Sequence, residues 1–496
     1  MFIDTLRLGP QAKRRMTSPG DAAPALARAA EKIPLGAVLS PAPLRPRRKE
    51  SEPGSLRPTA PDAPRGRRAN RKRQPAADLL PGIRDDSVMK GARRIYLDNA
   101  ATTRPTRLVV DRMAETQREL FGNPSSPHAF GPPAKRALED AREFLRGSLA
   151  AHRIVFTSGG SEADYLGIVG AAATRPPGRV LMSKADHPAL LRCASLLGRH
   201  RHNVAELDVT DDGDIAPETL FDALGKDVRV VALMHGHNEL GTIGKLEELV
   251  ELTRRAAPDA HIHVDLVQTY GKLPFDFDTY DVDSVAVSGH KFHGPRGAGV
   301  LALAADARVA PLQEAGGQEQ GMRGGTENVA GAVGLAVAAE ETLTHQAATE
   351  AHTRDLCERV FDVLADAMPD VERLGHPARK LPHILSVRLP GVAGATLMTR
   401  CDARGVAFSV GSACHAVDDK PKPKPKKGRS ANTPDNHVLA AIGMDREQAR
   451  EVIRLSFSAE TSVEDAEEAA DIVADEALRM LASTPRSSSG QRERAE

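Results

Sequence analysis

The sequence predicts an α/β protein whose mostly parallel sheet is covered by helices. Three observations support this fold class. From Ile95 onward, apolar runs of four to six residues alternate with amphipathic stretches of helical periodicity. Reactive polar residues follow several of these runs, and in parallel sheets ligands bind at the carboxyl ends of the strands. The chain has 496 residues, which is enough for two or three domains.

Five predicted strands lie in the first half of the folded region, at 154–156, 180–182, 228–234, 262–264 and 284–287. Helix-like segments separate several of them, at 160–173, 187–198, 217–224 and 244–257. Strands and helices that alternate in this way are typical of a sheet buried on both faces.

A long helical stretch near 327–366 is expected to lead into a smaller C-terminal α/β domain. The predicted strands of this domain lie at 384–389, 406–410 and 452–457, and a helix at 463–482 closes it. We therefore predict a large domain at 93–345, whose N-terminal segment contributes to the small domain at 346–484. A disordered tail is expected at 485–496.

Residues 1–92 form an arm with a different composition. Residues 1–90 hold 13 of the 35 prolines, and 19 Lys or Arg against 9 Asp or Glu. Such a segment cannot bury enough apolar surface to fold, so we predict disorder. One alternative is a basic arm for an anionic surface, although without interleaved aromatics no nucleic-acid partner is expected. Another is that translation begins at Met89.

Composition excludes several classes of protein. Lys plus Arg and Asp plus Glu are equal at 67, so the net charge indicates no particular partner. The four cysteines are widely spaced without a CxxC pair, which argues against a disulfide framework and a structural metal site. No run approaches the length of a membrane helix, and no secretory signal is evident near Met1. We expect a cytoplasmic protein without a metal.

The most informative stretch is VAVSGHKFHGP at 285–295, where Lys291 follows an apolar strand. A lysine in such a place is costly unless it is neutralised or used covalently. A second apolar run ends at Asp265. A Schiff-base lysine and an acid for a pyridine nitrogen are the two groups that a pyridoxal phosphate (PLP) enzyme needs, so we predict PLP as the cofactor.

Other residues could complete such a site. Gly160 and Ser161 lie in TSGGSEA at 157–163, between a strand and a helix, where backbone N–H groups can bind a phosphate. Gln268 could donate to the phenolic oxygen, and His187 could stack on the ring. Asn238 again follows a strand. For each, the alternative is an ordinary structural residue of a turn.

Two residues in the C-terminal part are candidates for substrate chemistry. Arg454 lies in a strand-like run and could bind a carboxylate through two hydrogen bonds, or be a surface arginine. Cys414 lies in GSACH at 411–415, close to a Lys-Pro run at 420–427 that would favour a thiolate. Its alternative is a small buried apolar side chain.

From about Tyr96 to about Met480 the chain resembles the cysteine desulfurases of the class-V aminotransferase group. The shared motifs are YLDNAATTRP at 96–105, GNPSSPH at 122–128, FTSGGSE at 156–162, SGHK at 288–291, GGQEQGMRGGTEN at 316–328 and GSAC at 411–414. The resemblance implies a fold type I PLP-dependent transferase with a seven-stranded, mostly parallel sheet.

The resemblance also implies roles. Lys291 would bind PLP covalently, and Gly160, Ser161, Ser288 and His290 would hold its phosphate, with Thr326 reaching it from the other subunit of a homodimer. His187, Asn238, Asp265 and Gln268 would contact the ring. Arg454 with Asn238 and Asn99 would bind the substrate carboxylate. Cys414 would be the nucleophile, and His187 would assist proton transfer.

The implied activity is conversion of L-cysteine to L-alanine, with sulfur passed to a persulfide and then to an acceptor protein. The acceptor could be an iron–sulfur scaffold or a protein of tRNA or cofactor thiolation. The alternatives are a selenocysteine lyase and another class-V enzyme. Three departures from the family pattern could reshape the pocket: His237 in place of asparagine, Gln320 in place of arginine, and Leu266-Val267 after the acid.

Overall fold

The computed structural model describes residues 94–311, 316–411 and 433–483. The strands in these ranges are β1 (Ile95–Tyr96), β2 (Arg153–Thr157), β3 (Arg179–Ser183), β4 (Asn203–Leu207), β5 (Val228–Met234), β6 (His261–Asp265), β7 (Ser284–Ser288), β8 (Gly299–Leu303), β9 (Glu372–Arg373), β10 (Ile384–Arg388), β11 (Val406–Ala407), β12 (Ser409–Val410) and β13 (Val452–Ser456).

The α-helices of the same ranges are α1 (Arg107–Glu119), α2 (Gly131–Ser148), α3 (Gly160–Tyr165), α4 (Ala171–Ala173), α5 (Pro188–Leu191), α6 (Ala194–Arg199), α7 (Pro217–Ala223), α8 (Leu246–Ala256), α9 (Val329–Thr344), α10 (Gln346–Ala367), α11 (Gly394–Ala403), α12 (His437–Ala441), α13 (Arg446–Arg450) and α14 (Val463–Ser483). A π-helical turn, Leu166–Gly170, joins α3 to α4. Short 3-10 turns lie at Gly289–Lys291 and Gln318–Gly321. No helix of these ranges is both long enough and apolar enough to cross a bilayer.

The central sheet has seven strands in the order β2-β8-β7-β6-β5-β3-β4. β8 runs antiparallel to both of its neighbours, and the other pairs are parallel. Every residue of β6, β7 and β8 is buried. Central strands that are buried along their whole length are typical of a sheet covered on both faces. The predicted fold class is confirmed.

A second core forms around a four-stranded antiparallel sheet of order β12-β13-β10-β9. Helices α10, α11 and α14 contribute buried residues to it. The first strand of the described chain joins this core, because β1 pairs in parallel with β11 through Ile95 and Val406. Leu97 is buried in the same cluster. The start of the folded chain thus packs against residues more than 300 positions later.

The structure differs from the sequence-based expectation in three places. The stretch 327–366 is two helices, because the chain leaves helical geometry at His345, after a run of residues with modest helix propensity. The run 406–410 is divided between two sheets on either side of buried Phe408. β1, β4, β8 and β9 were not among the predicted strands. β8 is an apolar run next to the SGHK motif, and β4 is a partly exposed edge strand.

The glycine-rich segment 316–328 is anchored to the large core by a buried ion pair. Glu319 receives two hydrogen bonds from Arg142 on α2, at 2.7 and 3.0 Å, and one from the backbone N–H of Phe156. Arg142 also donates to the carbonyl of Ile154. Glu319 lies in the left-handed region with φ 48°, as does Gln320 with φ 57°. We infer that the ion pair holds this turn in its strained conformation.

We predict that Glu319→Ala lowers the free energy of unfolding by about 3 kcal/mol, because the buried guanidinium of Arg142 loses its two hydrogen bonds to Glu319 and keeps only the more exposed carboxylate of Glu139. The matched control is Glu143→Ala on α2, the helix that carries Arg142. This change removes an exposed ion pair with Arg146 and should lower the free energy of unfolding by less than about 1 kcal/mol. Urea titration of the full chain measures both changes. Equal losses in the two variants would contradict the anchoring role.

Candidate active site

The predicted site residues converge at the carboxyl edge of the central sheet. Asp265 and Ser288 are the last residues of β6 and β7. His187 precedes α5, close after β3, and Asn238 follows β5. Lys291 ends the turn that continues from β7. Because parallel strands share this edge, residues far apart in sequence come to line one site.

An open cavity of about 400 Å³ lies beside Lys291, where β2 passes into α3. It is lined by Ala101, Thr102, Ser158, Gly159, Gly160, Ser161, Glu162, Ser288, His290, Arg296 and Gly297. Gly159 has φ 154°, and a side chain at Gly160 would lie 2.6 Å from Val267. Both positions therefore require glycine, and the backbone stays accessible. Thr326 is exposed and does not line this cavity.

The chemistry of this cavity fits a phosphate. The Nδ1 atom of His290 is buried without a hydrogen-bond partner. Burial and then the charge of Lys291 lower the pKa of His290 to about 4, so its imidazole is neutral. Arg296 adds a cation at the rim. An anion with several acceptor oxygens would satisfy these groups together with the backbone at the start of α3.

Lys291 and Gln268 meet at one backbone carbonyl. Lys291 Nζ donates to the carbonyls of Ala100 and Ala101, at 2.7 and 2.8 Å. Gln268 Nε2 donates to the same Ala100 oxygen, at 2.9 Å. His383, from the start of the second core, lies 3.4 Å from Gln268 Oε1. These contacts place the amine and the amide side by side.

Asp265 is almost completely buried, and its Oδ1 accepts one hydrogen bond, from the backbone N–H of Val267, at 2.7 Å. Burial, first of all, raises the pKa of Asp265 to about 8. A buried carboxyl of this kind is stabilised as an anion when a cation binds against it. A protonated pyridine nitrogen is such a cation, so the acid fits the ring of PLP as the cavity fits its phosphate.

His187 is held in one tautomer. Its Nδ1 accepts the N–H of Ala189 at 3.2 Å, which leaves the proton on Nε2. Burial and then the charge of Lys291 lower the pKa of His187 to about 4. The side chain is only partly buried. It therefore presents a neutral ring with one N–H at physiological pH.

Arg454 on β13 is held by the large domain and the N-terminal segment at once. Its Nη2 lies 2.8 Å from Asp98 Oδ1, and its Nη1 donates to the carbonyl of Asn238 at 2.9 Å. Its Nε is buried without a partner. Asn99 is buried and donates to the carbonyl of Ser456. The guanidinium is thus oriented but has unused donor capacity for a carboxylate.

His237, which departs from the family pattern, shapes the loop that carries Asn238. Its Nε2 contacts the Ala185 carbonyl at 2.9 Å, and its Nδ1 accepts the N–H groups of Glu239 and Leu240. Burial lowers the pKa of His237 to about 4. The imidazole thus links the Ala185 carbonyl, after β3, to the backbone N–H groups of Glu239 and Leu240, after β5. The shorter side chain of asparagine would not reach both.

The cysteines separate into two groups. Cys193, Cys357 and Cys401 are buried thiols whose pKa is raised to about 12, first of all by burial. Such thiols are poor nucleophiles at neutral pH. Cys414, like the Lys-Pro run at 420–427, lies outside the described residues. The last described residue before it, Gly411, directly follows β12, in which Ser409 pairs with Arg454.

Sequence reasoning missed several groups at this site. Asp98 lies in the motif YLDNAATTRP at 96–105, but no role was predicted for it. Lys272 lines a second cavity with Lys291 and His383, and its Nζ is buried without a hydrogen-bond partner. Burial and then the charge of Lys291 lower the pKa of Lys272 to about 7. Its only sequence signal was its position four residues after Gln268, and nothing in a single sequence reveals that it is buried.

The comparison with known proteins first defines the class. The Aminotransferase class-V family profile matches residues 95–468, so the chain belongs to that family of PLP enzymes. Within it, the chain is 37% identical over 403 residues to a cysteine desulfurase of Frankia sp. (strain EuIK1), covering 78% of this chain and 92% of that protein. It is 33% identical over 385 residues to the cysteine desulfurase IscS of Dictyoglomus turgidum, covering 77% and 94%. The chain belongs to the cysteine desulfurases, as its motifs predicted.

Solved structures agree with this assignment. A NifS-like protein, 30% identical, has a TM-score of 0.69 and covers 77% of this chain and 98% of its own. The protein SspA, solved in complex with cysteine, is 29% identical, with a TM-score of 0.61 and coverage of 73% and 98%.

We predict that the cofactor-free protein loses stability relative to its Asp265→Asn variant as pH rises from about 4 to about 8. Asp265 has a higher pKa in the folded chain (about 8) than in the unfolded chain (about 3.9). Between these values the folded state binds more protons, so raising the pH favours unfolding.

Melting temperatures of both cofactor-free proteins across this pH range measure the effect, and their difference should change by several degrees. Saturation with PLP should remove it, because the ring nitrogen then pairs with the ionised acid. A difference that stays constant with pH would contradict the raised pKa.

Proposed function

We propose that this protein is a PLP-dependent cysteine desulfurase, which converts L-cysteine to L-alanine and holds the removed sulfur as a persulfide on Cys414. The observation that supports it best is the meeting of Lys291 and Asp265 at the carboxyl edge of the central sheet, with Arg454 of β13 bound to the carbonyl of Asn238 at the same edge. L-cysteine as the substrate is further supported by the likeness to SspA, whose structure contains cysteine.

PLP would be held by Gly160, Ser161, Ser288 and His290 at its phosphate, and by Lys291 through its aldehyde carbon. Asp265 would pair with the ring nitrogen and Gln268 with the phenolic oxygen, while Asn238 and His187 would contact the ring. When bound, PLP withdraws electrons from the substrate and makes the proton on Cα acidic.

Arg454 would orient the substrate. Asp98 and the Asn238 carbonyl already hold two of its nitrogens, so little rotamer freedom is lost when a carboxylate binds. Asn99 would support this contact by tying the N-terminal segment to Ser456. Lys291 Nζ would take up and return the Cα proton, and the Nε2–H of His187 would serve the other proton transfers.

Cys414 would carry out the sulfur transfer. Its thiolate attacks the substrate sulfur, so that an S–S bond forms while the Cβ–S bond breaks, and the carbon skeleton leaves as alanine after protonation. Cys414 comes three positions after Gly411, so their Cα atoms can be at most about 11 Å apart. The pairing of β12 with β13 brings Ser409, two residues before Gly411, beside Arg454.

The persulfide would then pass to an acceptor protein. The Lys-Pro run at 420–427 follows Cys414 by a few residues and would favour an acidic surface on that acceptor. The buried, unpaired thiols of Cys193, Cys357 and Cys401 suit a reducing cytoplasm, where we place the protein. We also propose the domain division at about residue 345, since α9 contributes to the first core and α10 to the second.

The test of the activity uses PLP-loaded wild type and Cys414→Ser with L-cysteine and a reductant. Wild type should release alanine and sulfide in equal amounts. Cys414→Ser should lose sulfide release by roughly 10²-fold or more while its visible spectrum still changes on binding cysteine. The control, Cys401→Ala, removes a buried thiol of the second core and should retain activity per folded protein. Wild type that acts on selenocysteine and leaves cysteine intact would favour the lyase alternative and reject this function.

We propose a homodimer in which Thr326 contributes to the phosphate site of the partner. Thr326 is exposed and does not line the cavity of its own chain. Phe121 and Phe130 are 67% and 58% exposed, with ring centroids 5.3 Å apart. A paired aromatic patch of this kind is typical of a protein interface, and it lies at the start of α2, the helix that anchors the Thr326 segment through Arg142.

Phe130→Asp should shift the protein toward monomer and weaken PLP retention. Phe221→Asp is the matched control, because Phe221 is 57% exposed on α7 and lacks an aromatic neighbour among the described contacts. Sedimentation velocity over a range of concentrations distinguishes the variants. Identical behaviour of Phe130→Asp and wild type would exclude this patch from the interface.

A further inference from the structure

A buried chain of hydrogen bonds runs beside Asp265 and has no part in the proposed mechanism. Asp164 Oδ1 lies 3.2 Å from His263 Nε2, and His263 Nδ1 lies 2.8 Å from the hydroxyl of Ser284. The same hydroxyl lies 2.7 Å from His261 Nε2. Both histidines and Ser284 are fully buried, and Asp164 is 1% exposed. His263 is two residues from Asp265 on β6, so the two side chains share one face of the sheet.

Two features of the fold accommodate this buried chain of hydrogen bonds, although burying its polar groups costs free energy. Asp164 lies on α3, directly after the glycines of the phosphate cavity. The π-helical turn that follows contains Gly167, and a Cβ atom there would overlap the imidazole of His263. Buried polar groups are expensive unless they are fully bonded. A structural role alone would be served by apolar side chains of similar size.

The proton positions can be assigned from the far end of the chain. Asp283 forms an ion pair with Arg254 at 2.9 Å, and its Oδ2 lies 4.0 Å from His261 Nδ1. Burial keeps both histidines neutral, since it lowers the pKa of His263 to about 4 and holds the pKa of His261 well below its usual range. Each ring therefore carries one proton. His261 Nδ1 is buried without a hydrogen-bond partner among the described residues, and it is the ring nitrogen that faces the Asp283 carboxylate, so we place the proton of His261 on Nδ1.

The remaining assignments follow, because a serine hydroxyl has only one proton to donate. His261 Nε2 has a lone pair and accepts from Ser284. Ser284 then accepts from His263 Nδ1–H, which leaves a lone pair on His263 Nε2. That lone pair faces Asp164 Oδ1, and two acceptors cannot form a hydrogen bond. Asp164 must therefore supply the proton.

We propose that the chain of His263, Ser284 and His261 keeps Asp164 as a neutral carboxylic acid, so that Asp164 adds no second negative charge beside Asp265 at the cofactor nitrogen. Asp164 and His263 are then positioning residues. The inference rests on the proposed function for its purpose, but the protonation of Asp164 is a property of the folded chain.

The groups that face Asp164 explain why its charge matters. His263 and Asp265 approach it from β6, Asp186 from the end of β3, and Cys193 from the turn between α5 and α6. An ionised Asp164 would raise the proton affinity of Asp265 and of Asp186. Asp265 would then tend to be neutral, and its ion pair with the ring would be weakened.

The first experiment is an infrared difference spectrum of the cofactor-free protein, wild type minus Asp164→Asn, at neutral pH. The expected result is a carbonyl band of a protonated carboxylic acid that is present in wild type and lost in the variant. The difference isolates Asp164 from Asp265 and Asp186. A difference band of an ionised carboxylate instead would overturn the inference.

The second experiment breaks the chain with Ser284→Ala and follows the visible absorption of the PLP-loaded protein against pH. Without the hydroxyl, His263 can place its proton on Nε2, and Asp164 can ionise. The added negative charge should move the titration midpoint upward by about one pH unit. Asp164→Asn alone should leave the midpoint in place, since the amide is also neutral.

The double variant supplies the decisive control. In the Asp164→Asn background, Ser284→Ala should no longer move the midpoint, because no charge can appear at position 164. A shift of the same size in both backgrounds would overturn the inference. Asp283 directly precedes β7, at the His261 end of the hydrogen-bonded chain. Asp283→Asn therefore tests the chain from its other end and should also move the midpoint upward. Circular dichroism verifies folding of each variant. Wild type that is inert on cysteine would reject the proposed function and leave the infrared result standing.

Discussion

The site depends on residues 98–102, a short irregular segment held between the two cores. The Ala100 carbonyl accepts from both Lys291 and Gln268 of the large core. The Ala100 N–H donates to the hydroxyl of Ser456, in the second core, at 2.9 Å. Asp98 forms an ion pair with Arg454. The Lys291 amine and the Arg454 guanidinium are therefore positioned by contacts to the same short piece of chain.

Burial supplies the chemistry that this arrangement requires. In water Asp265 would be ionised and Lys272 protonated. Here burial favours the neutral form of each group, since it raises the pKa of Asp265 to about 8 and lowers the pKa of Lys272 to about 7. The histidines at positions 187 and 290 stay uncharged for the same reason. A site of mostly neutral groups can accept a cofactor that brings its own phosphate and ring charges. Binding of each charge can then change the protonation of a nearby buried group.

Much of this was predictable, because some functional signals are local. Lys291 and Asp265 each follow an apolar strand, and Gly160 follows another, so their neighbourhoods identify them without knowledge of the fold. Asp98 and Lys272 have no such local signal. Their importance arises from contacts with residues far away in sequence, such as Arg454, and from burial that a single sequence does not reveal.

The secondary structure shows the same division. The strands β5, β6 and β7 were predicted because a short run rich in apolar and β-branched residues is typical of a buried strand, even where polar residues such as His261, His263 and Ser284 interrupt it. The division of 406–410 between two sheets was not predicted, because Val406 pairs with β1 and Val410 with β13, and both partners are distant. The periodicity of apolar residues predicts which type of secondary structure a segment can form. Tertiary contacts decide where that helix or strand ends.

The pairing of Ile95 with Val406 also has a consequence for biosynthesis. The N-terminal segment leaves the ribosome first, yet its strand partner is made about 310 residues later, and Ser456 later still. The large core can begin to pack while synthesis continues. Lys291 and Gln268 must then wait for residues 98–102 to be secured by the last part of the chain. Cofactor capture in its final geometry is therefore a late event, which follows completion of the polypeptide.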